Sequence, residues 1–307
     1  MKTRRPFTLF AGSSHRCLAG EVAQRLGVAT GRALLEQFPD GEISVELLDS
    51  VQGQDVFVLQ SIVERPHFYL MELLLILDAL KRANAGRVVV LLPYYGYARQ
   101  DRRDGGRVAI GAKLVADLLQ VAGADHLVTL DLHAGQIQGF YNIPVDNLAA
   151  VGELVKAVRG LVTGKGRLVV VAPDLGAIKL AHAMAAQLGA DVALIDKRRL
   201  SGQEVHAAGL VGNVEGAEVV IVDDMCSTGE TLIAAAEVCR RKGAHRVVAA
   251  VTHGVLVDGA VEKIERSAID TLVVTDTVPK VERLQSSKIC RVSVAEMLAD
   301  SVDRMVS

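Results

Sequence analysis

Tryptophan is absent from the 307 residues, and tyrosine and phenylalanine bring the aromatic content to only 4%. A platform for single-stranded nucleic acid stacks bases on aromatic faces, so this composition argues against that partner. Charge of one sign is also missing. The chain has 34 basic and 36 acidic residues, a formal net charge of −2, and no basic excess of the kind that coats nucleic acid. Disorder is excluded from the other side, because 50% of the residues are hydrophobic. Cysteine is sparse: Cys17, Cys226, Cys239 and Cys290 lie far apart, without paired metal-ligand spacing. A reduced, cytoplasmic protein is the expectation. No apolar run reaches membrane length. Residues 7–11 are too few for the hydrophobic region of a secretory signal after Lys2, Arg4 and Arg5. The apolar stretch 68–80 is short for a bilayer and interrupted by Glu72 and Asp78. It is expected to form a buried helix at a domain or subunit contact, and neither a membrane nor nucleic acid is expected as a partner.

What the chain does have is alternation. β-Branched apolar runs at 8–11, 55–60, 87–92, 126–131, 168–172, 192–195, 218–222, 246–251 and 271–275 alternate with helical patterns such as 112–121, 177–188 and 232–242. Continuous apolar strands separated by helices predict an α/β fold whose mainly parallel sheet is covered on both faces. Ligands of such sheets gather at the carboxyl ends of strands. An internal echo points to two tandem domains: Gly123-Ala124 leads to His133 as Gly243-Ala244 leads to His253. The expected division is 1–146, 147–288, and a terminal strand and helix, 289–307, that returns to the first domain.

The unusual residues stand where the strands end. Residues 219–231 read Val-Val-Ile-Val-Asp-Asp-Met-Cys-Ser-Thr-Gly-Glu-Thr, a strand, two carboxylates and a short hydroxyl- and glycine-bearing loop before a helix. Unpaired amides and the positive end of a helix dipole favour a phosphate there. Ser227, Thr228 and Thr231 add hydroxyl donors, and Gly229 permits close approach. Asp223 and Asp224 suit sugar hydroxyls or a metal, so the segment reads as a sugar-phosphate site. The first half has no such loop. It carries Pro-Tyr-Tyr-Gly-Tyr-Ala-Arg-Gln-Asp-Arg-Arg-Asp-Gly-Gly-Arg at 93–107, a cationic stretch suited to polyphosphate oxygens. Asp-Leu-His at 131–133 ends a strand, leaving His133 as either a ligand of metal or phosphate or a structural residue. Asp174 precedes Gly176 at another strand-to-helix turn, where it fits a helix cap or a magnesium ligand. Asp-Lys-Arg-Arg at 196–199 is an exposed charge run or a cluster that meets charge developing during phosphoryl transfer. Phe-Pro-Asp-Gly-Glu at 38–42 is first of all a turn.

Taken together and in order, these segments resemble the ribose-phosphate pyrophosphokinase family, also called phosphoribosyl pyrophosphate synthetases. Gly-Tyr-Ala-Arg-Gln-Asp at 96–101 and Asp-Leu-His-Ala-x-Gln-Ile-Gln-Gly-Phe at 131–140 are the most specific motifs. The resemblance implies two phosphoribosyltransferase-like α/β domains and transfer of the β,γ-diphosphoryl group of MgATP to ribose 5-phosphate. It implies ATP contacts from Phe38, Asp40, Glu42, Arg99, Gln100, Asp101 and His133, and Mg²⁺ at His133 and Asp174. Ribose 5-phosphate falls to Asp223, Asp224, Ser227, Thr228, Gly229, Glu230 and Thr231, and catalysis to Lys197 and Arg199. A homo-oligomer built from dimers, with the hexamer favoured, is also implied.

Several positions depart from the family pattern. Residues 103–110 lack the Ser and Pro common there, Ser227 stands for a frequent Asp, Glu230 for a common Gly, and Gln52 where many phosphate-activated members have Arg. Lys179-Leu180 also departs, after the Asp174 turn. Two other readings remain open: a phosphoribosyltransferase, which does not account for the ATP segments, and a noncatalytic regulatory homologue, for which the altered 103–110 loop leaves room.

Overall fold

A computed structural model describes residues 5–103, 105–164, 166–197 and 208–307, apart from the side chains of Lys197 and Ala208. The chain forms two compact units. The first takes the chain up to Leu148 together with Thr277–Pro279 and Ser293–Ser307; the second takes Ala149–Asp276 and Lys280–Val292.

The first unit contains β1 (Phe7–Ala11), α1 (Arg16–Leu26), β2 (Ala33–Gln37), β3 (Ile43–Leu47), β4 (Asp55–Leu59), α2 (Pro66–Arg82), β5 (Arg87–Leu92), α3 (Gly111–Ala122), β6 (His126–Leu130) and β7 (Val145–Leu148). Its main sheet has the order β1-β4-β5-β6-β7 and is parallel throughout. Val56, Phe57, Val58 and Leu59, and likewise Val88 to Leu92, are buried, which is why these strands carry no polar alternation. Pro66 at the first turn and Leu73, Ile76, Leu77 and Leu80 on one face explain α2. Burying each of those four side chains contributes about 2 kcal/mol. The helix is not buried all round, as its sequence had suggested, because Met71 on the opposite face is 49% exposed. Beside the main sheet stands a separate antiparallel hairpin, β2–β3, whose alternating, half-exposed residues gave no strong apolar run.

The second unit contains α4 (Val151–Leu161), β8 (Leu168–Ala172), α5 (Ile178–Leu188), β9 (Asp191–Lys197), β10 (Ala208–Val211), β11 (Glu218–Cys226), α6 (Glu230–Arg241), β12 (Arg246–Gly254), α7 (Ala260–Glu265), β13 (Thr271–Thr275) and β14 (Ile289–Val292). Its sheet order is β10-β9-β8-β11-β12-β13-β14, parallel except at the β10–β9 edge. The chain winds outward from β8 to β9 and then, from β11 on, in the opposite direction. The order therefore reverses between β8 and β11, the position at which open α/β sheets bind ligands.

Two details differ from the sequence expectations. β11 and β12 run further than their apolar residues do, pairing as far as Met225 with His253 and Cys226 with Gly254. His253 thus lies inside a strand and is 5% exposed, whereas His133 lies beyond β6 and is exposed; the echo does not place equivalent side chains. The terminal segment also divides. β14 extends the second sheet beside β13, while the last helix, α8 (Ala295–Val306), belongs to the first unit and packs on α1. The strand has a sheet edge to pair with, and the amphipathic helix buries Leu298, Ala299 and Val302.

Candidate active site

In the second unit, β11 carries Asp223 and Asp224 to the carboxyl edge of the sheet, and Ser227–Gly229 turns the chain into α6. Gly229 caps that helix at φ 82°, a left-handed conformation that glycine adopts without steric cost. The loop is held by its carbonyls: the amide of Leu256 donates to Cys226 O at 3.0 Å and that of Val257 to Ser227 O at 3.1 Å. Among the described residues no acceptor meets the amides of Ser227 and Thr228. A loop with tethered carbonyls and open amides at a helix N-terminus offers an anion fixed donors. Thr228 Oγ1 accepts weakly from the Glu230 amide at 3.4 Å. Cys226 is buried, and its thiol is pushed up to about 12, first by burial and then by the charge of Asp223. All four cysteines are free thiols.

Asp174, in the turn after β8, approaches the same edge. Its Oδ1 accepts from the amides of Gly176 (2.8 Å) and Ala177 (3.3 Å) in the turn just ahead of α5, whose N-cap is Ala177; the side chain orders the turn and bonds no amide of the helix itself. Both bonds fall on one oxygen, which leaves Oδ2 for a ligand. Burial raises the Asp223 carboxyl to about 8; the charge of Asp224 and a hydrogen bond with it add to the shift, and the Asp174 charge contributes too. Three carboxylates that repel one another at the edge of a sheet are hard oxygen donors suited to a divalent cation.

In the first unit the two long motifs meet. Gln136 Nε2 donates to Asp101 Oδ2 at 2.6 Å, tying the segment after β5 to the segment after β6. The Tyr141 hydroxyl donates to that of Tyr95 at 2.8 Å, which in turn donates to Ala112 O at 2.9 Å, fixing both segments to α3. Burial raises both phenols, so they stay neutral hydrogen-bonding groups. Tyr97 (φ 66°) and Asp131 (φ 35°) adopt left-handed conformations unusual for non-glycine residues, and such strain concentrates at functional segments. Arg99, Gln100 and His133 are exposed, the backbone of Gln100 accepting from the Ala112 amide at 3.1 Å.

Phe38, Asp40 and Glu42 occupy the tip of the β2–β3 hairpin. The Phe38 amide donates to Glu42 O at 2.8 Å and the Gly41 amide to Phe38 O at 2.9 Å, while Asp40 Oδ1 accepts from the Glu42 amide. Phe38 is 47% exposed. The start of α2 lies between this hairpin and the Tyr97 segment: Arg65 donates to Gln37 Oε1 at 3.4 Å and covers the Phe68 ring, and His67 shares a hydrogen bond with the Tyr97 hydroxyl. Arg65 and His67 had no motif to mark them. Lys197 closes β9, paired with Ala208, but its side chain and all of Arg199 lie outside the described residues.

Comparison with known proteins adds independent findings. The N-terminal domain of ribose phosphate pyrophosphokinase matches residues 7–123, and the phosphoribosyl synthetase-associated domain matches residues 201–307. A ribose-phosphate pyrophosphokinase of Burkholderia pseudomallei (strain K96243) is 47% identical over 299 residues, covering 97% of this chain and 93% of that protein. One from Wolinella succinogenes is 44% identical, covering 98% of this chain and 96% of its own length. The crystal structure of phosphoribosylpyrophosphate synthetase from Mycobacterium smegmatis superimposes with a TM-score of 0.92 at 40% identity, covering 98% of this chain and 99% of that one. Among the described residues, no helix is long and apolar enough to cross a membrane.

Proposed function

This chain belongs to the ribose-phosphate pyrophosphokinase family, and we propose that it transfers the β,γ-diphosphoryl group of ATP to the C1 hydroxyl of ribose 5-phosphate. The C1 oxygen attacks the β phosphorus, and the bond from that phosphorus to the α,β-bridging oxygen breaks. AMP leaves with the bridging oxygen, the hydroxyl gives up its proton, and 5-phospho-α-D-ribose 1-diphosphate results. The chemistry asks for positioning and charge stabilisation rather than a protein nucleophile.

One observation carries the acceptor half: the Cys226 and Ser227 carbonyls are tethered while, among the described residues, the Ser227 and Thr228 amides stand open, beside Asp223 and Asp224 where the strand order reverses. Ser227, Thr228, Gly229 and Thr231 surround the 5-phosphate, Glu230 adjoins them with its carboxylate paired to Lys263, and the two aspartates accept from ribose hydroxyls. In the donor half, Arg99, Gln100, Asp101 and His133 contact ATP phosphates and ribose, and Phe38, Asp40 and Glu42 hold adenine by stacking and hydrogen bonds. Lys197 and Arg199 neutralise charge on the diphosphoryl group as it transfers. Asp174 in the second unit and His133 in the first would each hold Mg²⁺ as a single protein ligand, with phosphate oxygens and water completing the shell. When bound, the cation neutralises and orients the polyphosphate. The protein is read as cytoplasmic and as a homo-oligomer built from dimers, the hexamer favoured, a reading that rests on its family.

Purified protein given ATP, ribose 5-phosphate and Mg²⁺ is expected to form AMP and phosphoribosyl pyrophosphate in equal amounts. A folded oligomer that forms neither, across divalent metals and phosphate concentrations, refutes the proposal. Pyrophosphate release from phosphoribosyl pyrophosphate with a nucleobase would point instead to a phosphoribosyltransferase.

A further inference from the structure

The carboxylate of Glu230 stands at the first position of α6, directly after the Gly229 cap. A negative charge there interacts with the same helix N-terminus that draws in the 5-phosphate, so it competes with the substrate for that field. Across from it is α7, which is packed against the loop. A Cβ on Gly229 would come within 3.3 Å of Ile264 Cγ1, and Val257, just before α7, donates its amide to Ser227 O at 3.1 Å. Lys263, the residue before Ile264, donates Nζ to Glu230 Oε1 at 2.9 Å.

We infer that Lys263 is a positioning residue for ribose 5-phosphate: it draws the Glu230 carboxylate toward α7 and neutralises it, leaving the loop amides to the phosphate. The inference rests on the reading of 227–231 as the 5-phosphate loop. The ion pair is exposed, with 52% of the Lys263 side chain and 70% of the Glu230 side chain accessible, so it adds little to folding. Its effect lies in where a negative charge sits relative to a bound dianion. Without Lys263, the carboxylate is free to swing over the loop and repel the phosphate. Lysine at 263 therefore compensates for a side chain that glycine at 230 would not have.

A double-mutant cycle tests this, with ribose 5-phosphate varied at saturating ATP and Mg²⁺. Lys263→Ala is expected to raise KM for ribose 5-phosphate by about three- to tenfold, less at high salt, with kcat and the KM for ATP close to wild type. Lys263→Arg should retain the wild-type KM. In a Glu230→Gly background, Lys263→Ala should change KM by less than about twofold, since the charge to be restrained is gone. Within each background the Lys263 variants should melt within about 2 °C of their parent, which removes misfolding as a cause. An equal rise in both backgrounds, meaning that Lys263 acts on the phosphate itself, or no rise in either, overturns the inference while leaving the proposed activity intact. A wild-type protein that neither turns over nor binds ribose 5-phosphate in calorimetry overturns both.

Discussion

Replacing Gly254 with alanine asks how far the 227–231 loop, the proposed 5-phosphate site, depends on the strand behind it. Gly254 ends β12, opposite Cys226, and two residues later the chain passes through Leu256 at φ 41°, buried and left-handed. A Cβ at 254 would lie 2.4 Å from Val274 Cγ2 and 3.0 Å from Val281 Cγ2. Val274 is fully buried in β13, and a β-branched side chain has little rotamer freedom with which to yield. The end of β12 must therefore move. Overpacking of this kind costs about 1–3 kcal/mol, which at about 2–4 °C per kcal/mol for a unit of this size lowers the melting temperature by roughly 2–12 °C. The displacement reaches the amides of Leu256 and Val257, which hold Cys226 O and Ser227 O. Weakening those bonds, each worth about 1 kcal/mol, should raise the KM for ribose 5-phosphate about fivefold or more. Thermal melts and substrate-saturation kinetics read both effects. Gly20→Ala, in α1 with nothing within 4 Å of the new Cβ, supplies the contrast: it should stabilise by about 0.5–1 kcal/mol. An alanine at 254 that left both melting temperature and KM unchanged would refute the coupling between strand end and loop.

Other perturbations follow from the same geometry. Asp223 has a folded-state carboxyl raised to about 8 from an ordinary value of 3.8, so the native state holds an extra proton between those limits. Cation-free protein should therefore lose stability as pH rises from about 4 to about 8; Asp224→Asn, which leaves the burial of Asp223 in place, should flatten that slope only in part in urea titrations, and an unaltered slope would remove Asp224 as a contributor. Glu72, 1% exposed, accepts from the Ser13 amide (2.7 Å), the Ser13 hydroxyl (2.6 Å) and Gln60 Nε2 (2.8 Å). Glu72→Ala strands these donors and should cost roughly 3–5 kcal/mol in urea unfolding, with Glu72→Gln clearly milder; equal losses would argue against the hydrogen-bond account. For the Lys197→Ala/Arg199→Ala double variant, turnover should fall by about a hundredfold or more with ribose 5-phosphate binding largely kept, and near-normal turnover would remove both from catalysis.

Much of the scaffold was legible because its strands are buried on both faces. The runs 87–92, 168–172 and 271–275 coincide with β5, β8 and β13, each a continuous apolar segment with no rival helical period. The β2–β3 hairpin was harder to see. Its residues are half exposed and paired only with each other, so only the Pro-Asp-Gly turn at its tip stood out. The extension of β11 through Asp223, Asp224 and Met225 ran against local preference, since aspartate is depleted in strands; pairing with β12 overrides it. Legible in the same way was the glycine-bearing turn into α6, because backbone chemistry at a helix N-terminus is local.

The amino-acid order alone thus determined the alternating parallel architecture, the glycine-bearing turn into α6 and the long motifs that mark the family, all of which depend on neighbours within a turn or a strand. Tertiary structure decided which distant groups share a field. It brought Asp174 within electrostatic reach of Asp223, tied Gln136 to Asp101, set Lys263 against Glu230, and sent β14 and α8 to different units. Those pairings come from strand order and from helices packed against loops. The periodicity of a segment reports which of its faces is buried; it carries no information about which remote side chain lies across from it.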